Sequence, residues 1–222
     1  MQPDFVPRQL GLGTPGGCEA AVHATRCYLG ALDPSSVVAK LDFANAFNIV
    51  HRFDMLQAVK ERLPELYPYV YSAYSSPTVL FYGPYTLLSQ EGPQQGDPLW
   101  PLLFCNTINP VLSSMQSAVT VGYQDDITLG GPLQTVASDV RKIAEQGARM
   151  GLVLNASKCE LIAHSKLVVD DSLLGSFTRV TVEESSLLGA PMFPGKTLDE
   201  VWSSRCVDLT LACDRLGLDK TL

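Results

Sequence analysis

The chain has cysteines but no cysteine pattern. The six, at positions 18, 27, 105, 159, 206 and 213, form no C-x-x-C pair, and no histidine lies among them at zinc-site spacing. This excludes a zinc ribbon and a disulfide framework, and predicts reduced, mostly buried thiols of a cytosolic or nuclear protein. Also lacking is any apolar run near the roughly 20 residues that a membrane helix needs, and the opening MQPDFVPRQ has no apolar core of a secretory signal. A soluble protein, neither exported nor membrane-spanning, is expected. Positive charge is scarce: 16 Lys and Arg against 23 Asp and Glu leave a formal net charge of −7 and a pI near 4.9. A protein that grips a phosphate backbone unaided is normally basic, so this balance argues against autonomous nucleic-acid binding. Repeats and low-complexity segments are missing too. What is present is 46% hydrophobic content over 222 residues, enough to bury a core as one domain, or as one domain and a piece of another.

The turn-rich GLGTPGG leads into CEAAVHATRCYLGAL, whose Ala and Leu content predicts a helix ending near Pro34. VVAKLDF (37–43) reads as a buried strand. Asp54 is suited to cap MLQAVKERL, which Pro64 stops. A Tyr-rich helical stretch precedes TVLFYGPYTLLSQ, whose two β-rich halves around Gly83-Pro84 predict a hairpin. Asp97 as cap and Pro98 at the first helical position predict a helix starting directly after Gln95-Gly96. AVTVGYQDDITLGG predicts a second hairpin. Apolar Val136, Val140, Ile143 and Ala144 then recur at helical spacing, with Gly151 closing the helix. Short strands are expected in CELIAH, KLVV, FTRVTV and SLLGAPM, and a last helix from Thr197 to about Leu216. This order predicts an α+β domain with helices on one face of an antiparallel sheet.

Within the second hairpin, Asp125 and Asp126 stand side by side at the turn. Aspartate is a common turn residue, and a hairpin tip in water tolerates two. The alternative is a divalent cation, which needs hard oxygen ligands and removes the repulsion between them. A third carboxylate, Asp42, ends the strand VAKLDF. Alone, it reads equally as a polar residue meeting water.

Three stretches in order, KLDFANAF, GPQQGDPLWPLLF and GYQDD, resemble motifs A, B and C of the reverse transcriptase palm, specifically that of non-LTR (LINE-like) retrotransposons. NASKCEL is similar to motif D, SLLGAPM to the primer-grip motif E, and RQLGLGTPGGCEAAVHA to the segment before motif A that often reads Q-x-G-F; together they span roughly residues 8–192. The resemblance implies a polymerase palm that is an RNA-directed DNA polymerase. It would use Mg²⁺ as two ions, with Mn²⁺ a possible substitute, and take an RNA template, a DNA primer and dNTPs as partners. Phosphoryl transfer to a primer 3′-hydroxyl rests on positioning and electrostatics, and two ions about 3.5–4 Å apart need carboxylates converging from separate elements. Asp42, Asp125 and Asp126 would be these ligands. Lys158 would be a charge partner or proton donor for the leaving pyrophosphate. Phe43 and Phe47 would lie at the nucleotide, with Phe47 a gate against the 2′-hydroxyl. Gln95 and Gly96 would contact nucleotide or template, Tyr123 the primer terminus, and Leu188 and Gly189 the primer grip.

The sequence departs from the family pattern at Gln124, where alanine is more usual, and at Leu12, where an aromatic is usual. Residues 1–35 would be a partial fingers segment, 36–192 the palm and 193–222 the start of a thumb or a C-terminal helix. The missing fingers and thumb would carry the basic half of the channel, which accounts for the acidic balance and suggests a palm-centred fragment. A catalytically inactive remnant, or a domesticated module that binds nucleic acid or protein, is the alternative. A palm-like nucleotidyl cyclase could present similar carboxylates, but the Q-G-D-P-L and Y-x-D-D stretches argue against it. The physiological compartment would be cytosol or nucleus.

Overall fold

A computed structural model describes residues 5, 7–94 and 96–216. Its centre is a five-stranded sheet in the order β4-β5-β1-β6-β7, built from β1 (Ser36–Leu41), β4 (Val119–Tyr123), β5 (Asp126–Pro132), β6 (Glu160–Ala163) and β7 (Thr178–Val180). The first four pair antiparallel, as the sequence predicts, but β7 joins β6 in parallel. The chain fold is thus α+β. KLVV forms no strand.

Apolar alternation in β1 feeds two cores. Val37, Ala39 and Leu41 pack with α5 (Trp100–Ser113) and α6 (Leu133–Arg149), while Val38 joins Val121 and Ile162 against α1 (Gly17–Gly30) and the hairpin of β8 (Ser186–Leu187) and β9 (Ala190–Pro191). The expectation of helices on one face holds for α5 and α6. The opposite face, however, also carries a helix, α1, from the segment expected to be partial fingers. A third cluster joins α5 to α3 (Arg52–Arg62) and α4 (Tyr67–Tyr74) through Met55, Val59, Val70 and Leu103.

Helix boundaries shift where side chains have other work. α3 begins after His51, so Asp54 lies inside its first turn instead of capping it. α5 begins at Trp100, not Pro98, because Asp97 receives the Leu99 N–H at 2.8 Å and the Tyr74 hydroxyl, which holds 97–99 as a turn. Within α5, Pro110 has no N–H for the carbonyl of Asn106. Arg62 replaces it, donating from Nη2 to that carbonyl and from Nε to Asn106 Oδ1 at 2.9 Å. Only Cys105 and Cys159 are buried; Cys27 and Cys206 are exposed, against the expectation of mostly buried thiols. Among the described residues, no helix is long and apolar enough to cross a membrane.

The first hairpin and the last helix both present runs of apolar side chains to solvent. The hairpin of β2 (Thr78–Tyr82) and β3 (Tyr85–Ser89) turns at Gly83-Pro84 and exposes Phe81 at 82% and Tyr82 at 74%. α7 (Lys196–Leu216) buries no residue, and its Trp202 and Leu209 are open. A two-stranded ribbon with free edges and apolar flanks invites pairing with another chain. Light scattering is expected to show concentration-dependent association that Phe81→Lys with Leu87→Lys reduces. A wild-type chain that stays monodisperse across concentrations would contradict this.

Candidate active site

The three aspartates come together through strand register. The β1–β5 ladder ends at Leu41 opposite Ile127, so Asp42 and Asp126 are the next residues along two adjacent antiparallel strands. The β4–β5 ladder closes at Tyr123 opposite Asp126, which leaves Gln124 and Asp125 as a two-residue turn. Asp42 is held from behind, where its carbonyl accepts the Asn155 N–H at 2.8 Å and its own N–H points at Cys159 Sγ at 3.4 Å. Lys40 lies two residues before Asp42 on the same side of the strand and pairs with Glu160 at 2.6 Å.

The electrostatics follow from this crowding. Burial pushes the Asp125 carboxyl above its ordinary range, partly offset by a backbone hydrogen bond, and the charges of Asp126 and Asp42 push it further. Asp126 is exposed as a residue, yet desolvation of its carboxyl is again the largest push, followed by Asp42; Lys40 opposes both. Asp125 also reaches α5: Cys105 is pushed up to about 12, first by burial and then by the Asp125 charge.

Beside the carboxylates, Phe47 in α2 (Ala46–Ile49) is clamped by α5, its ring 3.9 Å from that of Trp100 and 4.7 Å from that of Phe104 between centroids. Phe47, Asn45, Asn48, Pro93, Gln94, Gly96 and Trp100 line a cavity of about 320 Å³. The loop forming one wall sits directly on α2: a Cβ at Gly92 would come 2.2 Å from the Phe47 carbonyl, and the Gly92 N–H donates to Val50 at 2.8 Å. Tyr74 holds the same loop, donating its hydroxyl to Asp97 and accepting the Gln94 N–H at 3.2 Å. Burial and the Asp97 bond raise the Tyr74 hydroxyl to about 12, so it stays a donor at neutral pH. Arg52, buried, ties the loop to the hairpin base through Gly92 O at 2.9 Å and Ser89 O at 2.9 Å. A larger cavity of about 770 Å³, lined by His51, Asp54, Tyr71 and Arg149 among others, includes none of the three aspartates.

The other predicted residues scatter. Phe43, expected at the nucleotide, is buried in the core with Leu41, because strand alternation turns it to the helical face. Tyr123 is half-buried at the end of β4, and Gly96 is exposed on the cavity wall. Gln95 lies outside the described residues. Lys158 is exposed on the turn whose ends bond Asp42. Leu188 and Gly189, with φ of 50° and 76°, form the tight turn between β8 and β9. Lys40, Arg52, Tyr74 and Trp100 carry no expectation from the sequence, since each acts through a partner distant in the chain, and Gln9 is expected only as the first residue of the Q-x-G-F-like segment, with no role of its own. Only Trp100, an aromatic directly after G-D-P-L, gives a local cue.

Among the described residues, no group of three or more His, Cys, Asp or Glu side chains stands assembled to hold an ion. The donor set still fits a hard divalent cation: three carboxylate-bearing residues meet at a strand end and a turn, and two are pushed toward protonation, first by burial and then by neighbouring carboxylate charge that such a cation would offset.

A raised carboxyl destabilises the fold at neutral pH. It is charged in both states above the raised value, and the cost disappears as pH falls through that value toward the ordinary one. Asp125→Asn is therefore expected to raise Tm at pH 7, by about 2–4 °C for each ~1 kcal/mol in a chain of this size, with the gain shrinking on acidification. Thermal melts at pH 7 and pH 4 check this; a gain that grows toward pH 4 would contradict it.

No curated protein sequence matches the chain. Apo telomerase from Candida tropicalis has a similar fold, with a TM-score of 0.53 at 12% identity over 66% of this chain and 32% of the telomerase chain. Telomerase from Candida albicans, in complex with a fragment of telomeric RNA, overlaps at a TM-score of 0.43 and 12% identity over 68% of this chain and 31% of that one. The chain thus spans about a third of the length of these telomerase chains. Residues 2–192 match the family described as "Reverse transcriptase (RNA-dependent DNA polymerase)", a span that holds Asp42, the Asp125–Asp126 pair and the Phe47 cavity together, and the chain belongs to that family.

Proposed function

We propose that the chain is the palm of an RNA-directed DNA polymerase that transfers a nucleotidyl group from a dNTP to a primer 3′-hydroxyl, and that it derives from a non-LTR retrotransposon. The observation that carries this reading is the meeting of Asp42 and Asp126 across adjacent strands with Asp125 in the adjoining turn. Asp42, Asp125 and Asp126 would hold Mg²⁺, or Mn²⁺ in its place. When bound, two such ions supply Lewis acidity for the hydroxyl and neutralise charge on the leaving pyrophosphate.

The chain's own residues set the reaction geometry. Carboxylates on two strands and a turn fix the site from separate elements, so it does not depend on one flexible loop. Phe47, wedged between Trp100 and Phe104, cannot retreat, and its ring would collide with a 2′-hydroxyl while admitting a deoxyribose. The loop of Gln94 and Gly96, anchored on α2 and on Tyr74, presents backbone to the nucleotide, and Gln95 would contact nucleotide or template. Lys158 would meet the pyrophosphate from the exposed turn beside Asp42, with Lys40 a second cation near the carboxylates. Tyr123 would face the primer end, and the turn at Leu188-Gly189 would grip the primer strand. A second reading, an inactive remnant or a binding module, is favoured by the net charge of −7 and the exposed apolar hairpin.

Primer extension on poly(rA)/oligo(dT) with dTTP and Mg²⁺ or Mn²⁺ separates the two. The polymerase reading expects extension that falls by on the order of 10³-fold in Asp125→Ala and Asp126→Ala. Extension unchanged in both variants would sink the ligand assignment, and none by the wild type would favour the second reading. In an active chain, Phe47→Ala is expected to lower the preference for dTTP over UTP roughly tenfold or more, since a steric gate is lost. An unchanged ratio of kcat/KM values would remove Phe47 from that role.

A further inference from the structure

Gln124 adopts φ of 58° at the first position of a two-residue hairpin loop, where glycine is the residue that enters this region freely. Something must hold a glutamine there. Gln9, fully buried, contacts both polar backbone atoms of Gln124: its Oε1 accepts the Gln124 N–H at 2.8 Å, and its Nε2 donates to the Gln124 carbonyl at 3.1 Å. Oε1 also accepts the Gly11 N–H at 3.1 Å, so a flipped amide would set donors against donors. The backbone around Gln9 is fixed as well. Leu10 N–H donates to Gly122 O at 2.7 Å and Gly122 N–H to Arg8 O at 2.5 Å, which makes residues 8–10 a short parallel partner of β4. Gly11 permits the approach, since a Cβ there would come 2.5 Å from Gln124 N.

We infer that Gln9 is a positioning residue for the Asp125–Asp126 turn, holding Gln124 in its left-handed conformation through a two-point grip on its backbone. This rests on the polymerase reading for its consequence in catalysis, but not for the grip itself. Asp125 and Asp126 follow Gln124 directly, so the direction in which each carboxylate leaves the hairpin depends on the dihedrals at 124. Without the grip, the turn relaxes toward conformations that suit glutamine, and the two carboxylates part from Asp42.

The test compares Gln9→Met, Gln124→Gly and the double variant in the full chain. Gln9→Met keeps the apolar bulk and removes both hydrogen bonds; glycine at 124 holds a positive φ without help. Gln9→Met is expected to speed amide exchange at Gln124 and Asp125 while β1 stays protected, and to weaken Mn²⁺ binding, read by electron paramagnetic resonance, by about 10–100-fold. In primer extension, kcat is expected to fall by a similar factor with KM for dTTP little changed. The double variant should regain most of the Mn²⁺ affinity and of kcat. A residue that merely fills the core would give no such rescue, so a double variant as weak as Gln9→Met overturns the inference. Unchanged exchange at 124 with unchanged Mn²⁺ affinity in Gln9→Met overturns it as well. If Gln9→Met does not fold, Gly11→Ala supplies the same readouts, because its Cβ displaces Gln124 while Gln9 keeps its place. A wild type that extends no primer counts against the polymerase reading, while exchange and Mn²⁺ binding still decide the role of Gln9.

Discussion

The antiparallel register of β1 on β5 is the constraint on which the rest of the structure depends. It sends Val37, Ala39 and Leu41 into one core and Val38 into the other, and the same two-residue period sets Asp42 beside Asp126. A slip of one residue would turn all of these over. Lys40 and Asp42 would face the α5–α6 core, and Val37 and Leu41, worth about 1.5–3 kcal/mol each when buried, would change sides together with Ala39. Because apolar layers press on both faces of the sheet, no other register buries the same residues. The placement of the acidic pair is therefore a by-product of core packing.

This explains what was legible in the sequence and what was not. Patterns carried within a few residues could be read: the alternation of β1, the 3.6-residue recurrence of Val136, Val140 and Ile143, the Gly83-Pro84 turn, and Gly151 with its φ of 83° at the end of α6. Asp42 and the Asp125–Asp126 pair were readable as candidates because ordered motifs carry them. Phe43 shows the limit of motif reading. It adjoins Asp42, but the parity that brings Asp42 to the site sends Phe43 into the core. Asp97 looks like a helix cap until Tyr74, 23 residues earlier, takes its other oxygen. Arg52 on Ser89, Arg62 on Asn106 and Gln9 on Gln124 are polar contacts whose partners no local pattern names. Nor does local sequence distinguish a parallel β7 from an antiparallel one, since pairing direction depends on where the connection runs.

The charge balance also gains a physical meaning. Several cations already have partners within the chain: Arg52 and Arg62 on backbone carbonyls, Lys40 on Glu160, and the exposed Arg141 on Asp171. Desolvation lowers the proton affinity of both Arg52 and Arg62, the cost of using a charged side chain as structural glue. What faces the aspartates is then mainly their own negative charge. Under the proposed function, a polyanionic template and primer would approach such a surface only with counterions or with basic segments lying outside this chain.

The grip of Gln9 on Gln124 spans 115 residues of sequence. Closing so long a loop carries an entropic cost that grows only slowly with length, about (3/2)RT ln n, yet it sets an order of events. The sheet can pair and bury both cores before the first strand-like residues return to flank β4. The acidic turn would therefore acquire its shape late in folding. It would also be the first feature to lose it, since residues 8–11 could detach in a local opening that leaves the core intact. The beginning of the chain would thus act as a latch on chemistry placed past its midpoint, and competence would have a lower threshold for loss than the fold that carries it.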